Sequence, residues 1–212
     1  MRDYIASAFE DRQASPRDDL ITHLAAVRDA DGSKLSEAEA VSVIILLLFG
    51  GNTTTTHLIG NGILALLQHP DQLAALQFEP TLLTNAVEEI LRFDPSITLA
   101  ERVPTTDLDI DGCRIRPGEW LFLILTSANR DPAAHSDPDR FDIRRDPIHH
   151  LSFGGGRHLC LGSALARIET QIAIGSLITR FPDIRLAEPS VEPAYKYVPG
   201  FRGLAELSVV LQ

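Results

Sequence analysis

Cysteine occurs only twice in this 212-residue chain, at Cys113 and Cys160. Two distant cysteines form no disulfide framework, and they cannot build a zinc or iron–sulfur cage. That usage agrees with a reducing, cytoplasmic setting. Positive charge is also scarce: 19 Lys and Arg against 29 Asp and Glu leave a net charge of −10. Such a balance argues against general affinity for nucleic acid or for an anionic membrane surface. Long greasy runs are missing as well. The longest, Val41 to Phe49, is too short to span a bilayer. The stretch from Met1 to Leu20 carries charges throughout, so it lacks the apolar core of a secretory signal. There are no internal repeats and no low-complexity tract. What remains is a chain with 44% apolar residues, long enough to bury a good core and expected to be soluble and globular.

The stretch around which the rest is organised is Phe153-Gly154-Gly155-Gly156-Arg157-His158-Leu159-Cys160-Leu161-Gly162. Three successive glycines remove every Cβ where the backbone must turn sharply or let something flat and bulky approach. Apolar residues then recur at helical spacing, at Leu161, Leu165, Ile168 and Ile172, so Cys160 is expected at or next to a helix N-terminus. Unpaired amides and the helix dipole there favour the thiolate, the form that binds metal or attacks as a nucleophile. One thiolate beside a glycine platform suits haem iron.

Other signals frame this one. Leu20, Leu24 and Val27 are spaced for an amphipathic helix, ended by a turn at Asp29 to Gly32. Ser36 followed by Glu39 is a capping-box pattern, opening a helix that runs to about Gln68, before Pro70. The middle of that helix is unusual, because Gly50-Gly51 costs about 1 kcal/mol per glycine relative to alanine. Thr53 to Thr56 are four β-branched residues in a row. Local rules broken inside an element point to function, here a groove with hydroxyls beside it. Pro80 to Phe93 reads as a short amphipathic helix with Glu89 and Arg92 on one face. Leu108-Asp109-Ile110 and Cys113-Arg114-Ile115 flank Asp111-Gly112, a hairpin signal. Pro117-Gly118 turns into a strand from Trp120 to Leu125. Cys113 is expected to be a packed, inert thiol, and His149 and His150 to be solvated. The final helix ends near Pro182, and Pro199-Gly200-Phe201 looks like a hairpin tip.

The cysteine stretch resembles the haem-ligand loop of the cytochrome P450 superfamily, bacterial soluble type. Its pattern is Phe, two residues, Gly, three residues, Cys, one residue, Gly, which Phe153, Gly156, Cys160 and Gly162 fill. The fold this implies is mainly α with small β-hairpins. By the same resemblance Cys160 would be the axial ligand of haem b (iron protoporphyrin IX), on a loop formed by Phe153, Gly154, Gly156 and Gly162. Arg102 and His158 would contact its propionates. The threonine-rich stretch is similar to the family's oxygen-binding helix, with Gly50 and Gly51 at the small positions and Thr54 at the threonine. Thr53 stands where the family carries an acid. That is a departure, since a hydroxyl has no useful pKa for general acid work near neutrality. Glu89, Arg92 and the arginine of Pro138-Asp139-Arg140-Phe141 would form a structural triad. Gly50, Ile97, Thr98, Leu99 and Phe201 would face the substrate.

The match runs from about Leu20 to the end, yet covers only the C-terminal half of the family. The chain therefore reads as a single haem-binding portion: a truncated gene, a fragment or a natural half-enzyme. The implied reaction inserts one oxygen atom from dioxygen into a small apolar substrate. Electrons would come from NAD(P)H through ferredoxin reductase and ferredoxin. Two other readings stand beside it: a non-catalytic haem-binding or partner-binding half, and an oxygenase driven by peroxide. With half the family absent, one haem face would be open to pairing with another chain.

Overall fold

The computed structural model describes residues 1–27 and 32–212 and divides the chain into two units, Met1–Thr53 and Thr54–Gln212. Most of the turn expected at Asp29 to Gly32 lies outside the described residues.

The first unit holds α1 (Arg2–Ala14), α2 (Leu20–Ala26) and the opening of α3 (Glu37–Gln68). The sequence reading did not foresee α1. It buries only Ile5 and Phe9, one turn apart among charged neighbours, so its apolar stripe is too thin to read. These two side chains pack with Ala40, Val41 and Ile44, backed by Ile21 and Leu24. At the start of α2 the Asp19 carboxylate accepts from the Thr22 amide at 2.9 Å. Arg12 donates to the same carboxylate, and these bonds hold Asp19 at about 2. Helix α3 begins on the expected capping box: Ser36 N donates to Glu39 Oε2 at 2.8 Å, and Glu39 N donates to Ser36 Oγ at 3.3 Å.

Helix α3 continues unbroken through the glycines and threonines for 32 residues. By length and composition it is long and apolar enough to cross a membrane. Its far half, however, buries Leu58, Leu64, Ala65 and Leu66, together with the fully buried Asn61. That half is a core helix of the second unit.

In the second unit α3 is joined by α4 (Pro70–Phe78), which the sequence reading missed. A 3-10 turn (Pro80–Leu82) then leads into α5 (Leu83–Phe93), and α7 (Ser163–Arg180) follows later in the chain. Leu58, Leu66, Leu76, Val87, Ile90 and Ile174 form the core, closed by Phe141 and Ile143 from an irregular segment. Each such side chain contributes about 1.5–3 kcal/mol on burial. Gly62 lets α3 come this close. A Cβ there would stand 2.9 Å from Ile90 and 3.1 Å from Ile174, so α5 and α7 could not both press against α3 at that point.

Three small antiparallel sheets complete the unit. Strand β1 (Leu99–Arg102) pairs with β4 (Leu121–Ile124), Leu99 opposite Ile124. Strands β2 (Leu108–Ile110) and β3 (Cys113–Ile115) form the expected hairpin, turning at Asp111 (φ 49) and Gly112 (φ 81). Strands β5 (Arg185–Leu186) and β6 (Val209–Val210) pair near the end of the chain. The strand expected from Trp120 is shorter, because Leu125 already begins the short helix α6 (Leu125–Ala128). Cys113 is exposed, not packed, since only Ile115 of this hairpin is buried.

Candidate functional site

The glycine loop turns as its composition demands. Gly154 (φ 69) and Gly156 (φ 64) both sit in the left-handed region, where a side chain would strain the backbone. Gly156 opens a 3-10 turn (Gly156–His158). The Cys160 amide then donates to the Phe153 carbonyl at 2.9 Å, closing the loop on itself. The sulfur-bearing residue is exposed. It stands two residues before Gly162, the N-cap of α7, so Leu161 lies outside the helix whose periodicity it shares.

Helix α5 holds the segment that feeds this loop. Glu89 and Arg92 are both fully buried, and Arg92 spends all five of its N–H donors. Its Nε and Nη2 reach the Glu89 carboxylate at 2.7 and 2.8 Å. The others reach the carbonyls of Asn129, Pro138 and Arg140 at 3.0, 2.8 and 3.0 Å. A buried guanidinium is tolerable only on such terms. Asn129 carries the tie onward: its Oδ1 accepts from the Leu151 amide at 2.8 Å, and its Nδ2 donates to Ser152 Oγ at 2.8 Å.

The third member of this cluster is Arg145, which corrects the expectation of Arg140. Arg145 lies 3.3 Å from the Glu89 carboxylate and donates to the carbonyls of Ser136, Asp137 and Arg140. Arg140 offers the cluster only its carbonyl. Its side chain is 64% exposed and pairs with Asp142 at 3.6 Å. The chain turns at Asp137 (φ 44) and brings the later arginine back onto Glu89.

A second ion pair braces the loop from the other side. Arg167 of α7 grips Glu88 of α5 at 2.6 and 2.9 Å, and its guanidinium lies 4.6 Å from the centre of the Phe153 ring. His150 Nε2 lies 3.1 Å from Glu88 Oε2, so this histidine is engaged and its side chain largely buried, contrary to the solvated state expected. Burial pushes Glu88 up, but hydrogen bonds from His150 and Arg167 outweigh it and hold the carboxyl at about 2. The Arg167 pKa is raised by its hydrogen bond to Glu88 against the effect of burial, and the charges of Glu88 and Cys160 add to that rise. Glu88, Asn129, Arg145 and Arg167 are site residues that sequence reasoning missed, and His150 is one that it placed in solvent. Only the Arg144-Arg145 doublet near Phe141 offered a signal.

Arg102 ends β1 and donates to the Glu101 carbonyl at 2.7 Å. Among the described residues no carboxylate pairs with it. His158 is exposed at the end of the 3-10 turn. Gly50 and Thr53 belong to the first unit and are exposed; Thr54 begins the second and is half-buried. Ile97, Leu99 and Phe201 come together with Glu101, Pro199 and Gly200 around a cleft of about 290 Å³. Thr98 joins the same pair of segments through its amide, which donates to the Gly200 carbonyl at 2.9 Å.

These residues fit a haem. The one sulfur donor is accessible, and added Cβ atoms at Gly155, Gly156 and Gly162 would meet open space. Arg102 remains available for an anionic group. Cys160 would hold the iron, and Arg102 and His158 would hold the carboxylates.

Comparison with known proteins agrees with this chemistry. The family model for cytochrome P450 matches residues 1–193. The chain is 46% identical over 209 residues to the biotin biosynthesis cytochrome P450 of Bacillus subtilis strain 168, covering 99% of this chain and 52% of that one. It is 42% identical over 209 residues to the vitamin D(3) 25-hydroxylase of Pseudonocardia autotrophica, covering 98% and 52%. Among solved structures, P450BioI in complex with an acyl carrier protein ligated to hexadec-9Z-enoic acid superposes with a TM-score of 0.92 at 45% identity, over 100% of this chain and 53% of that one. The bacillaene polyketide synthase P450 PksS of Bacillus subtilis 168 gives 0.95 at 42%, over 99% and 54%. The chain thus spans about half the length of the curated relatives it matches.

Proposed function

The chain belongs to the cytochrome P450 family, and on that premise we propose that it is the haem-binding portion of a cytoplasmic haem-thiolate monooxygenase acting on a small apolar substrate. The observation that carries this reading is the accessible Cys160 on a left-handed glycine loop, anchored to α5 through Arg92 and Asn129. Bound there, haem b would supply reductive activation of dioxygen, with electrons from NAD(P)H through ferredoxin reductase and ferredoxin.

The chain's own residues would do the rest. Cys160 would bind as the thiolate, whose electron donation favours oxygen–oxygen cleavage. Arg102 and His158 would neutralise the propionates, as fixed donors suit carboxylates. Thr54 would pass protons through its hydroxyl, while Thr53 adds no titratable group beside it. Glu89 and Arg92, with Arg145 in place of Arg140, would keep the loop rigid. Gly50, Ile97, Thr98, Leu99 and Phe201 would face the substrate; for Ile97, Leu99 and Phe201 the support is that they line the 290 Å³ cleft.

The test is the carbon monoxide difference spectrum of the reduced chain after haem supplementation. A strongly red-shifted thiolate band that disappears in Cys160→Ser is expected; a band that persists in that variant overturns the ligand assignment. Thr53 at the acid position favours a second reading, an oxygenase fed by peroxide, for which the proton relay matters less. Turnover with peroxide but not with NAD(P)H and redox partners would select it, and Thr53→Glu should then raise reductase-driven turnover.

A further inference from the structure

We propose that Asn61 and His57, one turn apart on α3, are positioning residues that lock the two walls of the Ile97–Phe201 cleft against each other. The role of this cleft as a substrate wall rests on the function proposed above; the locking itself does not.

The walls are short and share little backbone pairing. The Thr98 amide donates to the Gly200 carbonyl at 2.9 Å, and the Arg202 amide donates to the Ser96 carbonyl at 2.9 Å. One bridge joins Ile97 to Phe201. So small a two-stranded pairing is not stable by itself in water. Side chains must hold its register.

Asn61 is placed to do so. It is fully buried, and its amide nitrogen donates to the Asp94 carbonyl at 3.2 Å and to the Arg202 carbonyl at 3.1 Å. Asp94 leads into one wall and Arg202 leaves the other. The orientation of the amide is forced, because the flipped form would set its oxygen against two carbonyls. Oδ1 is then left buried without a hydrogen-bond partner, as is Nδ1 of His57. Retaining two such atoms is costly, which is the mark of a residue kept for where it points. The Arg202 guanidinium reinforces the tie by pairing with the Asp94 carboxylate and lying 3.9 Å from the Tyr195 ring centre.

His57 fixes the same segment from one turn earlier. Its ring fills the space a side chain at residue 203 would need, since a Cβ on Gly203 would fall 2.1 Å from the ring. The ring is 6% exposed. Burial, with Lys196 nearby, lowers its pKa. The segment leaving the cleft is therefore seated on α3 with Gly203 against the imidazole.

Backbone hydrogen exchange in the full chain tests this. Asn61→Asp keeps the volume and removes both donors. It should speed exchange at the Thr98 and Arg202 amides by about tenfold or more, while amides of α5 and α7 keep their protection. Gly203→Ala should do the same, and combining it with His57→Ala should restore at least half of the lost protection. Unchanged exchange at Thr98 and Arg202 in Asn61→Asp would overturn the proposal. So would a uniform loss through α5 and α7, which would make Asn61 an ordinary core residue. A double variant no better than Gly203→Ala alone would overturn the His57 arm. None of these readings needs haem, so they stand apart from the carbon monoxide spectrum that tests the functional reading.

Discussion

Two adjacent glutamates on α5 have opposite fates. Glu89 is fully buried and joins Arg92, three residues along the same helix. Glu88 points to the other side, remains partly exposed, and joins Arg167 from a position 79 residues away. The first pair is local, saturated with hydrogen bonds and fixed in the core. The second is assembled entirely by tertiary packing and touches the cysteine loop through Phe153. Identical residue types, one position apart, therefore serve as a core anchor and as a partly exposed brace. The helix decides which is which, because residues one apart are separated by about 100° around the axis.

The largest break in that comparison is Arg92→Ala. It leaves the fully buried Glu89 carboxyl without its main partner, which costs about 3–5 kcal/mol. Denaturant unfolding should show a loss of that size or no folded chain at all. Arg145→Ala comes next. It removes one ion pair to Glu89 and three carbonyl bonds, and a loss of about 1–3 kcal/mol is expected in the same measurement. A cost below that of Arg140→Ala would reinstate Arg140 as the third member.

Glu88→Gln sharpens the contrast through pH. The folded carboxyl is held at about 2, below its ordinary value of 4.5. Its stabilisation is therefore complete above pH 4.5 and is lost as pH falls toward 2. The stability gap between the native chain and the variant should shrink over that window, read by thermal unfolding at a series of pH values. A gap that stays constant would mean that Glu88 gains nothing from its charge. The smallest effect belongs to Arg140→Ala. The exposed guanidinium holds one pair at 3.6 Å, and a change within about 0.5 kcal/mol is expected.

Legibility followed the range of each interaction. The capping box at Ser36, the hairpin at Asp111-Gly112 and the pair Glu89–Arg92 were all readable, because each is completed within a few residues. Helices α1 and α4 were not, as the one shows two buried apolar residues and the other buries Leu73 and Leu76 alone. Arg140 is the arginine expected from the motif Pro138-Asp139-Arg140-Phe141, whereas the side chain that reaches Glu89 lies five residues later. The turn at Asp137 precedes both arginines, and nothing in the spacing reveals which of them is returned to Glu89. His150 and Glu88 are 62 residues apart, so a histidine that looked solvated in sequence proved to be a partner in the brace.

By itself the sequence determined the family, the long helix from Glu37 to Gln68 and the sharp turning of the glycine loop, and it singled out Cys160 as the sulfur proposed to bind iron, since these depend on residue type and short spacing. Only the tertiary structure decided which arginine completes the Glu89 cluster, how Phe153 is braced, and that Asn61 and His57 seat the cleft-forming strand. Those outcomes depend on buried groups meeting across long chain separations, where every donor must find an acceptor and no local pattern names it.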